Sequence, residues 1–197
     1  VGTVRSASKT APTTSAIATV APVDNLSFAE ADLLSDTGWA EAMAGCTYVI
    51  HVASPFVMAA PKDEKELITP AVDGTKRVVQ AAQQAGVSRL VLTSSTIAMV
   101  AGKDSGRYGP DSWSDTDANI GAYAKSKTLA ERAAWDINQN DTMELTVINP
   151  GGVSGPPLNA QADSSSVAMM SDMINGKMPM LPDLALNMVD VRDVARL

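Results

Sequence analysis

The chain has 197 residues, a formal net charge of −7, 45% hydrophobic residues, one cysteine and one histidine, which describes a folded protein of about one domain. An acidic balance without any cluster of Lys and Arg argues against nucleic acid as a partner, and no apolar run reaches the length of a membrane span. Cys46 alone cannot close an internal disulfide, so a cytoplasmic setting is expected, and His51 alone excludes a multi-histidine metal site, so no metal is expected.

Short apolar runs alternate with helical patterns along the whole length, the signature of an α/β fold with a parallel sheet wrapped by helices. Residues 1–5 read as a strand, resembling neither a signal nor a transit peptide. The Ser/Thr/Ala-rich residues 6–21 read as a loop with at most a helical turn, and residues 26–30 as the next strand. Asp32 and Leu33 follow it, before a short helix expected near Asp36. Residues 47–52 form a third strand, and residues 67–85 a long helix closed by Gly86 in the left-handed conformation. Residues 90–94 form a fourth strand, residues 110–115 a polar loop carrying Trp113, residues 121–138 a second long helix and residues 145–149 a fifth strand. Most of these strands are apolar without alternation, as expected for burial on both faces. The two long helices have apolar faces that suit either packing on the sheet or pairing in a homodimer, and monomer and homodimer stay open. Six methionines fall between Met169 and Met188, suiting an adaptable apolar pocket or simply a core. Residues 189–195 read as a helix just beginning, and both ends of the chain read as cut from a longer protein.

Tyr123-Ala124-Lys125-Ser126-Lys127 lies near the start of the second long helix. Side chains four apart share a helix face, so Tyr123 and Lys127 stand together while Lys125 points elsewhere. A free phenol titrates near ~10. The adjacent cation is expected to lower that value and ready the hydroxyl for proton transfer at neutral pH. The strand-end triplet Thr93-Ser94-Ser95 offers a hydroxyl to polarise a substrate oxygen.

The set Thr3-Val4-Arg5, Ala31-Asp32-Leu33, His51-Val52-Ala53-Ser54-Pro55, Asp73-Gly74-Thr75, Leu92-Thr93-Ser94-Ser95, Tyr123 to Lys127, Asn149-Pro150-Gly151 and Asp190 to Ala195 resembles, in this order, an extended short-chain dehydrogenase/reductase. Within that superfamily it is most similar to the dihydroflavonol reductase and cinnamoyl-CoA reductase group. The resemblance implies a Rossmann-type doubly wound parallel sheet lacking the family's first strand, its glycine loop and the C-terminal substrate lobe. Residues 1–197 would then be a partial NAD(P)-binding domain, with the substrate-binding region starting at about residue 154. The missing first strand is central in the family, so the isolated chain is expected to be unstable or to bind cofactor poorly.

The same resemblance implies roles for individual residues. Ser95 becomes the catalytic hydroxyl, with Thr96 as the alternative, and Tyr123 and Lys127 join both the catalytic and the cofactor sets, Lys127 at the nicotinamide ribose. Arg5, followed by Ser6 and Lys9, stands where an NAD enzyme carries an acid, which points to NADP(H), because a guanidinium pairs with a phosphate that a carboxylate repels. A solvated loop arginine is the alternative. Asp32 and Leu33 would contact adenine, although Asp32 equally suits a helix cap. Val52, Ala53, Ser54 and Thr93 end two strands, where small residues let a dinucleotide approach. Pro150 and Val153 would meet the nicotinamide carboxamide, in a segment that equally suits a tight turn. Trp113 borders the substrate or staples its loop to the body, and Arg192 and Asp193 lock two lobes through ion pairs. His51 reads as a satisfied core histidine and Cys46 as structural.

The expected activity is NADP-dependent reduction of an aldehyde or ketone, reversibly alcohol oxidation, on a small-molecule carbonyl substrate, with no nucleic acid and no membrane as partner. A nucleotide-sugar epimerase/dehydratase shares the Ser/Tyr/Lys set but usually pairs with an NAD-type acid. An NADP-sensing regulator without turnover often lacks the Tyr or Lys kept here.

Overall fold

In the computed structural model, which describes residues 1–55, 61–140, 143–158, 165–177 and 187–197, the strands lie in parallel ladders of two, three and two strands. The elements in chain order are β1 (Gly2–Val4), α1 (Thr10–Ala18), β2 (Phe28–Glu30), α2 (Trp39–Met43), β3 (Tyr48–His51), α3 (Lys65–Gln84), β4 (Arg89–Thr93), α4 (Ile97–Val100), α5 (Gly121–Ile137), β5 (Glu144–Ile148), β6 (Gly152–Ser154), α6 (Ser165–Ile174), β7 (Met188–Asp190) and α7 (Val191–Val194). β1 pairs with β2, with Gly2 opposite Phe28. β4 lies between β3 and β5, with Leu90 opposite both Val49 and Leu145. Every pairing is parallel and joins strands separated by a crossover, the Rossmann-like α/β arrangement that the sequence implies.

Two compact units divide the chain. The first comprises Val1–Thr10 and Leu26–Asn149, the second Ala11–Asn25 and Pro150–Leu197. In the first unit Val78, Val79 and Ala82 of α3 pack with Leu90 and Leu92 of β4, Ala134 of α5, Trp39 and Met43 of α2, and Met143. Fully burying a side chain such as Leu90 or Val79 stabilises the fold by roughly 1.5–3 kcal/mol each. The end of α3 is the expected one: Gly86 takes φ 71°, and Val87 N and Gly86 N donate to the carbonyls of Ala82 and Gln83 at 3.0 and 3.1 Å. That is the Schellman closure, which satisfies carbonyls left over by the last turn.

Several expectations are corrected. Residues 6–21 are not a loop: a 3₁₀ turn at Ala7–Lys9 runs into the nine residues of α1. Pro12 sits in the first turn, where its missing N–H removes no helical bond. The short helix begins at Trp39, three residues beyond the expected Asp36, so Asp32 does not cap it. Nor are all strands buried on both faces. Tyr48 and Ile50 are 70% and 73% exposed, because β3 is the outer strand of its ladder and only its opposite face meets the core.

In the second unit Arg192 forms a bidentate pair with Asp190 at 2.9 and 2.6 Å, and Asp193 pairs with Arg196 at 3.4 Å. These are local contacts at the start of α7, and Arg192 holds the Asp190 carboxyl well below the usual carboxylate range. Met170, Met173 and Met188 are exposed by 40% or more and belong to no buried core. Met178 and Met180 lie outside the described residues. No described helix is long and apolar enough to cross a membrane.

Gly74 has a packing reason. A Cβ built there would stand 2.7 Å from Cβ of Leu33 and 2.8 Å from its Cδ2, so the loop after β2 rests directly on α3. Gly74→Val is expected to cost about 2 kcal/mol through overpacking, read as a fall in thermal midpoint. Combining it with Leu33→Gly, which removes the Cβ as well as the Cδ2 in the way, gives a less than additive loss in a double-mutant cycle. Strict additivity would show that this contact does not require the glycine.

Candidate active site

Gly121 opens α5, and Tyr123, Lys127 and Glu131 follow at four-residue spacing along one face. The helix is held by Thr128 Oγ1 donating to Ala124 O at 2.8 Å and Ser126 Oγ donating to Tyr123 O at 2.8 Å. The side chains of Tyr123 and Ser95 are hydrogen-bonded, linking the first turn of α5 to the segment just after β4. Ile97 N donates to Ser95 Oγ at 3.3 Å, so this hydroxyl has two neighbours before any ligand arrives.

The electrostatics differ from expectation. Tyr123 has its pKa raised: burial pushes the phenol up, and the bond with Ser95 only partly offsets that. A cation four residues away does not make a phenolate of a half-buried phenol in this chain. Lys127 is 8% exposed. Burial pushes its ammonium below the ordinary lysine value, and the charge of Glu131 works the other way. Lys125 leaves the site to pair with Glu64 at 3.0 Å, as the helical spacing requires.

Ala53, Ser54, Thr93 and Lys127, all sequence candidates, surround one cavity of about 10 Å³ together with Thr75, Leu92, Ser94, Ala130 and Glu131. That space suits about one water-sized group. Ser94 Oγ is buried with no hydrogen-bond partner. Val52 is 66% exposed just after β3. His51 is a core residue, but not a satisfied one: its Nε2 makes no hydrogen bond. Burial first, and the Lys127 charge second, bring its pKa down to about 4.

Arg5 follows β1 directly and is exposed, as is Lys9 in the 3₁₀ turn. Ala31 N donates to Val4 O at 3.0 Å, which sets the segment carrying Asp32 and Leu33 beside Arg5. Asp32 Oδ1 accepts from Leu34 N at 2.9 Å, a local turn, and Arg77 Nη1 donates to Leu33 O at 2.8 Å while its Nε pairs with Asp36. Pro150 and Val153 belong to the second unit, half-buried, Val153 paired with Val189 across β6 and β7. A Cβ on Gly151 would meet Asn187 O at 2.1 Å, so close strand approach accounts for the glycine there.

Trp113 stacks on Arg132 of α5, with the guanidinium 5.1 Å from the ring centre. The neighbouring Ser114, 1% exposed, donates to Ile97 O and accepts from Ala101 N, both at 2.7 Å. The loop is therefore stapled to α4 and α5. Sequence reading named Asn149 only within the Asn149-Pro150-Gly151 motif, with no role of its own, and passed over Glu131. Asn149 Nδ2 donates to Ser95 O at 3.2 Å and to Glu131 Oε2 at 2.8 Å. The acid four residues beyond Lys127 was the available signal for Glu131; for Asn149 it was its place in the motif that closes β5.

The donor set fits a dinucleotide bearing a phosphate. An exposed guanidinium follows β1, and the small residues after β3 line one small cavity with a buried ammonium and an orphaned hydroxyl. Among the described residues no three His, Cys, Asp or Glu side chains group to hold a metal.

The sequence matches the model of the "NAD dependent epimerase/dehydratase family" over residues 3–197. A cinnamoyl-CoA reductase of Medicago truncatula is 37% identical over 182 residues, covering 87% of this chain and 55% of that protein. A dihydroflavonol 4-reductase of Hordeum vulgare is 35% identical over 156 residues, covering 75% and 44%. The yeast methylglyoxal/isovaleraldehyde reductase complexed with NADPH superposes with a TM-score of 0.84 at 26% identity, covering 99% of this chain and 64% of that one. The chain thus spans about half the length of these curated relatives.

Proposed function

Because the chain belongs to the NAD dependent epimerase/dehydratase family, we propose that it serves as an NADPH-dependent reductase of an aldehyde or ketone, running reversibly as an alcohol dehydrogenase. The observation that carries this reading is Tyr123 one turn before the buried Lys127 on α5, with the Ser95 side chain acting on the phenol. The relatives named above are reductases, and one of the solved structures is complexed with NADPH.

NADPH, when bound, supplies the hydride that reaches the carbonyl carbon. By the family resemblance Arg5 and Lys9 would take its additional phosphate, Asp32 and Leu33 the adenine, Val52, Ala53, Ser54 and Thr93 the central portion and Lys127 the nicotinamide ribose, and the same resemblance assigns Pro150 and Val153 to the carboxamide. The Ser95 hydroxyl donates a hydrogen bond to the carbonyl oxygen, and Tyr123 delivers a proton to that same oxygen as its negative charge develops. The raised phenol pKa suits this direction, because it keeps the proton on Tyr123 until the oxygen demands it. Lys127 holds positive charge beside the phenol, so the oxygen left behind on Tyr123 is better tolerated than burial alone would permit.

The test is oxidation of NADPH and of NADH in the presence of a panel of aliphatic and aromatic aldehydes, ketones and a dihydroflavonol. Turnover with NADPH is the expected outcome, and binding without turnover on every carbonyl would overturn the reading. Arg5→Glu is expected to raise the KM for NADPH roughly 10- to 100-fold, the scale of a charge-assisted hydrogen bond lost, with little change for NADH. Equal effects on the two cofactors would remove Arg5 from phosphate recognition.

A further inference from the structure

Glu131 has no part in the reaction just described, yet it is among the least accessible charged groups of the chain, 6% exposed on the inner face of α5. A buried carboxylate is strongly disfavoured unless its lone pairs and its charge find partners. Its Oε2 accepts from Asn149 Nδ2 at 2.8 Å, and the same amide donates to Ser95 O at 3.2 Å. A three-member chain therefore runs from the carboxylate, through the residue just after β5, to the backbone of the serine just after β4. On its other side Glu131 lines the small cavity against which Lys127 also lies.

The groups around Lys127 give this carboxylate a second part. Tyr123 lies one turn before it on α5 and keeps its proton. His51 of β3 faces it and is neutral at physiological pH. Thr75 of α3 and Ser94, just after β4, carry no charge. Lys125 is engaged by Glu64. Glu131 is the acid whose charge acts on Lys127.

We propose that Glu131 is a positioning residue of the site: through Asn149 it fixes the Ser95 backbone, and with its own charge it keeps Lys127 an ammonium beside Tyr123. Its kinetic consequence rests on the reductase reading; its structural consequence does not. Ser95 sits on a connection between β4 and α4, and a hydroxyl on a connection needs a brace to stay within hydrogen-bond reach of a reacting oxygen. The amide of Asn149 supplies that brace only while an acceptor oxygen at position 131 holds the amide in turn.

Glu131→Gln separates the two parts, because the glutamine carbonyl still accepts from Asn149 while the charge is gone. NMR titration of ¹³C-labelled lysine side chains, with the Lys127 signal assigned by Lys127→Arg, is expected to show the Lys127 pKa lowered relative to the parent. The kcat/KM profile against pH should lose its alkaline side at a lower pH than in the parent, with KM for NADPH little changed. Asn149→Ala keeps the charge and removes the brace: kcat falls while Lys127 titrates as in the parent. An unmoved Lys127 pKa in Glu131→Gln overturns the electrostatic part, and full kcat in Asn149→Ala overturns the brace. Should the parent reduce no carbonyl, the reductase reading fails, and the Lys127 titration still decides the role of the Glu131 charge.

Discussion

Tyr123→Phe is expected to lower NADPH-dependent carbonyl reduction by roughly 10²–10⁴-fold, the range measured for loss of a positioned general acid. The ring stays, so the half-buried volume on α5 stays filled, and only the hydroxyl that bonds Ser95 is lost. Ser95 keeps its bond from Ile97 N, so the hydrogen bond to the carbonyl oxygen survives while the proton source does not. The variant should bind NADPH within a few-fold of the parent, and its melting temperature should barely move, since the deleted hydroxyl carried a desolvation cost of its own. Fluorescence titration with NADPH and a kcat determination on one good substrate suffice. Retention of more than a tenth of the parent kcat would mean that another group donates the proton. The raised phenol pKa adds a direction in pH: the donor form of Tyr123 persists above the ordinary tyrosine value, so a decline of reduction at lower pH than that belongs to Lys127, whose ammonium burial disfavours.

The largest effect on stability is expected from His51. In the unfolded chain this imidazole takes a proton near pH 6.5, whereas in the fold its pKa lies at about 4. Between those values the unfolded state binds more protons, so stability is full above pH 6.5 and falls as the pH drops toward 4. The accumulated loss is about 3 kcal/mol, and no further loss comes from this residue at lower pH. Carboxylates titrate across the same range, so the informative quantity is the difference between the parent and His51→Leu in urea unfolding at a series of pH values. The variant lacks the orphaned Nε2 as well as the titration, and it should match or exceed the parent at neutral pH while losing less on acidification. Parallel curves for the two proteins would place the acid sensitivity elsewhere.

What the sequence disclosed followed from how local each signal is. The start of α5 and the same-face relation of Tyr123 and Lys127 depend on residues four apart, and they were legible. So was Gly86, whose left-handed conformation ends α3 within a single turn. The nine residues of α1 were missed because Thr, Ser and Ala in alternation present no apolar stripe. The strands β6 and β7 were missed because Gly152–Ser154 reads as part of a turn after Pro150 and Met188–Asp190 runs directly into α7, whose start hides it. The phenol pKa was misjudged for a related reason: spacing reveals a neighbouring charge but not the depth of burial, and here burial dominates. The contact of Asn149 with Ser95 spans 54 positions, and it arises only when β5 pairs with β4.

The amide of Asn149 also has a chemical lifetime. Asparagine side chains age when the backbone nitrogen of the next residue attacks the amide carbon, closing a succinimide and releasing ammonia, and the product is an acid or a branched chain. The residue after Asn149 is Pro150, whose ring nitrogen carries no hydrogen to lose. Asn175 has the opposite setting: it is exposed and followed by Gly176. Spontaneous deamidation in this chain is therefore directed to the periphery of the second unit, and the amide that braces Ser95 is spared by its neighbour in the sequence.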